Sequence, residues 1–140
     1  MVSVNWLAII VAAIANMAIG FAWFSDAMFG KQWRKLMGVS ESSMKPGNDF
    51  MVKMMVIGTI GALLMAFVLA HAEVFAGSYL STSGLILGLS TGFWNWVGFM
   101  VPLHLASYLY EKRPVKLITI NAGYWLVSML VMGVIIAVWK

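Results

Sequence analysis

The sequence predicts an all-helical integral membrane protein: a single-domain four-helix transmembrane bundle over residues 1–140, with a short amphipathic interfacial helix between helices one and two. Three observations predict it. Of 140 residues, 62% are apolar or aromatic and only 10% are charged, against roughly 45–50% and 25% in a soluble domain. Four stretches reach the ~20 mostly apolar residues that a spanning helix needs. Eight of the nine Lys and Arg residues fall in two of the connecting loops. A chain this short cannot hide so much apolar surface from water, and disorder requires a polar composition. With no cysteine in the chain, disulfides, thiolate metal sites and cysteine nucleophiles are excluded.

The spans are read as residues 5–24, 54–75, 84–109 and 117–139. The first is not a cleaved signal peptide, because such peptides begin with positive charge and the first cation here is Lys31. Loop one, residues 25–53, carries Lys31, Arg34, Lys35, Lys45 and Lys53. Loop two, residues 76–83, is uncharged. Loop three, residues 110–116, carries Lys112, Arg113 and Lys116. With four spans, loops one and three share a side, and only Lys140 lies opposite. The positive-inside rule then puts both loops in the cytoplasm and both termini outside. The +4 net charge is thus a topology signal and not a nucleic-acid footprint. Trp6, Tyr79 and Trp139 fall at the outer boundary, and Trp23, Trp33, Tyr108 and Tyr110 near the inner one, where aromatic belts sit.

Within loop one, Phe29, Trp33, Leu36 and Met37 recur at i, i+4, i+7 and i+8, with Lys31, Arg34 and Lys35 on the other side. This spacing predicts a short amphipathic helix on the inner leaflet, capped by Ser25 or Asp26 and ended by Gly38. Residues 40–49, with Pro46-Gly47-Asn48, read as polar turns.

Helices in lipid associate through small residues. Gly84, Gly88 and Gly92 make such a stripe on helix three, and Ala8, Ala12, Asn16 and Gly20 repeat the spacing on helix one. The stripe serves either packing within one bundle or a contact between protomers. Each half of the chain also has an apolar helix, a basic segment and a second helix, the pattern of a parallel repeat.

Polar groups inside a bilayer are costly and are site candidates by default. Asn16 and Asn95, near the centres of helices one and three, are expected to bond each other across the bundle. His71 and Glu73 are expected at the outer interface, each bonded locally. His71 and His104 lie ~20 Å apart in depth at 1.5 Å per residue, too far to share a metal or a haem iron. Helix three combines Trp94-Asn95-Trp96, the helix-kinking Pro102 and His104, and is the first choice for a binding site. No Ser-His-Asp set, paired carboxylate or His-x-x-x-His spacing is present, so neither an enzyme nor a cofactor is expected.

The residues also carry a family likeness. The first helix followed by Phe24-Ser25, then Phe29-Gly30-Lys31-x-Trp33-x-Lys35-Leu36-x-Gly38, resembles the opening of the small bacterial membrane proteins catalogued as domain of unknown function 1761. Gly92-Phe93-Trp94, Gly98-Phe99, Pro102, Glu111-x-Arg113-Pro114, Leu117, Ile120-Asn121-x-x-Tyr124 and Met132-Gly133 extend the likeness over nearly the whole chain. Similar members often show Trp-Tyr-Ser-Pro where this chain has Trp23-Phe24-Ser25-Asp26. The resemblance implies a protein of a bacterial inner membrane without an established activity. It also directs attention to Glu111, Arg113, Asn121 and Tyr124. With Lys31, Trp33 and Arg34 these are expected to form one inner-side cluster, Glu111 pairing with Lys31 or Arg34.

These features lead to a small transport or permeation protein, acting as a homo-oligomer in the lipid bilayer, with Asn16, Trp94, Asn95, Trp96, His104 and Asn121 along its pathway. The alternative is a structural or assembly subunit that binds a larger membrane partner or lipid through its small-residue faces.

Overall fold

A computed structural model describes residues 3–139. Lys140, the cation assigned to the opposite side, lies outside the described residues. The chain runs α1 (Trp6–Trp23), α2 (Gly30–Met37), a 3₁₀ turn (Glu41–Met44), α3 (Asp49–Leu80), α4 (Gly84–Asn95), a π-helical turn (Trp96–Met100), α5 (Val101–Leu109) and α6 (Val115–Val138). The third span is α4, the π turn and α5 in continuous succession, Gly84–Leu109. With α1, α3 and α6 it makes four helices long and apolar enough to cross a membrane. The large side chains on their outward faces are apolar: Ile57, Ile86 and Phe99 are each more than 60% exposed.

Local chemistry sets the helix ends. The Asn5 side chain accepts from the backbone N–H groups of Leu7 and Ala8 at 3.0 and 3.2 Å, satisfying donors that the first helical turn leaves open. Asn48 does the same for Phe50 at 2.9 Å. It starts α3 five residues before the expected span. Asp49 follows in the first turn, where negative charge is favoured. α3 continues to Leu80 and stops at Ser81 in a left-handed conformation. Its 32 residues are ~48 Å long at 1.5 Å per residue, more than the ~30 Å hydrocarbon core. Loop two thus shrinks to residues 81–83. Hydropathy missed both helix ends because Asp49, Lys53 and Ser78 are polar without being helix breakers.

The amphipathic helix is present, and Gly38 ends it at φ 68°, a backbone conformation that favours glycine. Its start differs from expectation. Phe29 occupies the cap position and neither Ser25 nor Asp26 caps the helix. The Ser25 carbonyl instead accepts from Met28 and Gly30 in a tight turn, and the Asp26 carboxylate is engaged by Arg34. Gly30 is buried under that turn. A Cβ there would collide with the Phe24 carbonyl, which explains the glycine after Phe29.

The core lies where α1, α3 and α6 meet: Ile9, Ala12, Ala66, Leu69, Ala70, Met129, Met132 and Ile136 are all buried. α4 lies against α6 through small residues. A Cβ on Gly88 would sit 2.6 Å from the Gly133 carbonyl, and one on Gly92 2.5 Å from the Met129 carbonyl oxygen. Gly88 and Gly92 are therefore spent within the bundle. Gly84 is not part of this seam: it has φ 61° and open space around it. The termini meet at the far end, where Asn5 Nδ2 donates to the Trp139 carbonyl at 2.9 Å. Loops one and three lie together at the other, basic end.

Candidate functional site

Asn16 is buried on α1. Its partner is not Asn95 but Tyr124 of α6, whose hydroxyl donates to Asn16 Oδ1 at 3.0 Å. Asn95 turns back on its own helix, its amide donating to the Thr91 carbonyl at 2.8 Å, and lines a lateral cleft between α3 and the third span. The expected Asn16–Asn95 bond fails because α1 packs on α3 and α6, which puts α6 opposite Asn16. Trp94 is 65% exposed and faces away from the bundle. Trp96 faces α6, its indole N–H donating to the Ala122 carbonyl at 2.9 Å.

Tyr124 lines a cavity of about 340 Å³ at the basic end, with Asn16 buried behind it. Gly20 makes room for the tyrosine: a Cβ there would lie 3.3 Å from its hydroxyl. Tyr124 packs on Phe24 at 5.1 Å between ring centroids, and Phe24 on Trp33 at 5.3 Å. Trp33 and Tyr124 of the expected cluster thus share one aromatic stack. Met17, Met51, Met54 and Met55 form much of the cavity wall, with Asp26 and Arg34 also lining it.

Arg34 is a correction to the helical-wheel reading. It is buried while Lys31 and Lys35 are exposed, because Nη2 donates to Asp26 Oδ1 at 2.6 Å across the Phe24–Gly30 turn. Glu111 therefore pairs with neither Lys31 nor Arg34. It takes Arg113, two residues on, at 3.4 Å. Glu111 and Arg113 line a second basic-end cavity of about 210 Å³ with His104 of α5 and Asn121 of α6. The residues expected to form one inner-side cluster are thus divided: Arg34 and Tyr124 line the first cavity, Glu111 and Arg113 the second.

At the far end a cavity of about 480 Å³ opens between the termini and α3. Glu73 lines it and is only 1% exposed, not interfacial as its place in the sequence suggested. The extension of α3 to Leu80 leaves Glu73 nearly two turns inside the helix end, over the small residues where α4 crosses α6. A Cβ on Gly133 would lie 3.4 Å from Glu73 Oε1. His71 does bond locally, Nδ1 lying 2.8 Å from the Phe67 carbonyl. His104 likewise approaches the Met100 carbonyl at 2.6 Å. Sequence reasoning listed Glu73 as polar but did not make it a site residue. Its position four residues after Leu69, on the face of buried Ala62, Ala66 and Leu69, is the signal that finds it.

One face of α6 joins the two ends. Tyr124, Ser128, Met132 and Ile136 follow at i+4 spacing. Tyr124 lines the basic-end cavity and Ile136 the far-end one. Between them Ser128 and Met132 have no exposed surface. Twelve residues of helix, ~18 Å, separate the two cavity floors, and the packed core fills that distance.

Four apolar spans with apolar outward faces, closed over a few buried polar groups, fit a multi-pass helical membrane protein. The chain matches over residues 7–137 the family described as protein of unknown function, DUF1761. It belongs to that family. No curated protein and no solved structure matches it.

Proposed function

We propose that this protein moves a small solute across a bacterial inner membrane as a homo-oligomer, with the basic end in the cytoplasm. One observation carries the reading. Two cavities enter the bundle from opposite ends, each reaches a buried polar group (Asn16–Tyr124 on one side, Glu73 on the other), and a single helix face links them. Buried polar and ionisable groups are costly in a membrane and mark solute and proton paths. Packed cavities separated by a closed core are what alternating access requires. The positive-inside rule supplies the orientation. The two-sided shape also supports transport over the assembly reading, because the glycine seam that would recruit a partner already holds α4 on α6.

The chain has no cysteine, so accessibility can be read directly. Ser128→Cys, placed between the two floors, is labelled by a membrane-impermeant thiol reagent from either side of reconstituted vesicles if the core opens in turn to each. Protection from both sides, with Gly20→Cys labelled normally at the basic end, overturns the reading. Native mass spectrometry checks the oligomer, and a strictly monomeric particle counts against it.

A further inference from the structure

The basic-end cavity is polarised. Its wall is methionine and aromatic: Met17 from α1, and Met51, Met54 and Met55 from the first turns of α3. The three methionines of α3 share one face at i, i+3 and i+4. The Met17 thioether lies against the same face, 3.7 Å from where a Gly58 Cβ would be. Unbranched thioether side chains re-pack around varied apolar shapes. Beside the methionines stand Asp26 and Arg34, the Arg34 side chain 10% exposed. A guanidinium has five N–H donors in a planar fork. Asp26 takes one hydrogen bond at 2.6 Å, and Glu41, at 3.9 Å, is beyond hydrogen-bonding range. The rest of the fork has no protein acceptor among the described residues. The charged residues that line the cavity are Asp26 and Arg34, and with Asp26 already held on one N–H, the unengaged N–H groups of the fork are what the cavity offers an anion.

From this we infer that the cavity binds a single-chain anionic amphiphile, a fatty-acid carboxylate, with its tail among the methionines and its carboxylate on the free edge of the Arg34 fork. Three features select this ligand. A planar fork matches a carboxylate in bidentate geometry. The opposite polarity would set a cationic head against the Arg34 guanidinium, which can only donate hydrogen bonds. The volume of about 340 Å³ is at the low end of the roughly 300–1,000 Å³ of small-molecule pockets, room for one chain and not for the two of a phospholipid. The inference gives a ligand class to the inner cavity of the transport reading, and binding is read separately from access across the core.

The test uses the full chain in phosphatidylcholine nanodiscs titrated with radiolabelled palmitate. Saturable binding is expected. Palmitate methyl ester, with the same tail and no charge, should compete at least ~10-fold more weakly, the scale of one charge-assisted hydrogen bond. Arg34→Gln should weaken palmitate by ~10-fold or more. Met54→Trp, which fills the cavity and leaves the Arg34–Asp26 pair in place, should abolish binding without lowering the melting temperature. Equal competition by the methyl ester, or unchanged affinity in Met54→Trp, overturns the site. Displacement of palmitate by phosphatidylglycerol at equal concentration overturns the single-chain assignment. Palmitate binding with Ser128→Cys protected from both faces retains the site and removes the transport reading alone.

Discussion

The bundle holds its helices together in two different ways. Where α4 crosses α6, glycine meets glycine and backbone touches backbone, with no side chain between Gly88 and Gly133. Where α1 faces α3 at the basic end, a methionine meets a glycine and a cavity remains. Both interfaces use small residues, yet only one is filled. Glycine lets helices approach closely only when both partners are small at the crossing. Opposite a long flexible side chain, the same glycine provides adjustable space. The first interface is suited to a fixed scaffold, the second to a ligand.

The sharpest way to break this contrast is to add the same methyl group at both places. Gly88→Ala drives a Cβ into the Gly133 backbone, and neither backbone can give without moving its helix. It should cost roughly 1–3 kcal/mol, the range for overpacking, toward the upper end, read as a large fall in the thermal unfolding midpoint in detergent. Asn16→Leu has an intermediate effect. It removes the acceptor of the half-buried Tyr124 hydroxyl and should cost about 1 kcal/mol. A double-mutant cycle with Tyr124→Phe should give a coupling near 0.6 kcal/mol, typical of hydrogen bonds inside membrane proteins. The smallest effect belongs to Gly58→Ala, whose Cβ meets only Met17 at an ordinary 3.7 Å. Its stability should stay within about 0.5 kcal/mol of the parent, while palmitate affinity changes because the cavity wall has moved. If Gly88→Ala and Gly58→Ala cost the same, the distinction between scaffold and adjustable wall is lost.

The four spans, the interfacial helix and its Gly38 stop were all readable from the sequence, because each rests on composition or spacing along one helix. Which helix faces which was not. Asn16 and Asn95 are both central amides, and only the packing of α1 on α6 decides that Tyr124 is the partner. Arg34 defeated the helical wheel for a related reason. A wheel assigns charge to the solvent side, but a turn that folds Asp26 back over the helix moves the preferred side of one cation inward. Glu73 was misplaced by an underestimated helix length, since five further helical residues, Ala76 to Leu80, carry it from the interface into the bundle. The candidate sites at the basic end were half legible: the right residues were singled out, but as one cluster where the structure has two cavities.

The π turn at Trp96–Met100 bears on how this chain can vary in length. A π turn holds one more residue than the α-turn it replaces, and each residue of an α-helix advances the side chains by about 100°. Removing one residue from this segment would heal the turn into regular α-helix. Because the residue removed is the one that the wider turn absorbs, α5 and loop three would keep their facing toward α6, with His104 still beside Asn121. Removing one from the regular helix of α4 would instead rotate those residues by that angle and carry His104 away from Asn121. A single deletion should therefore be tolerated at Trp96–Met100 and not within α4, which makes the segment a reading-frame marker for the wall of the smaller basic-end cavity.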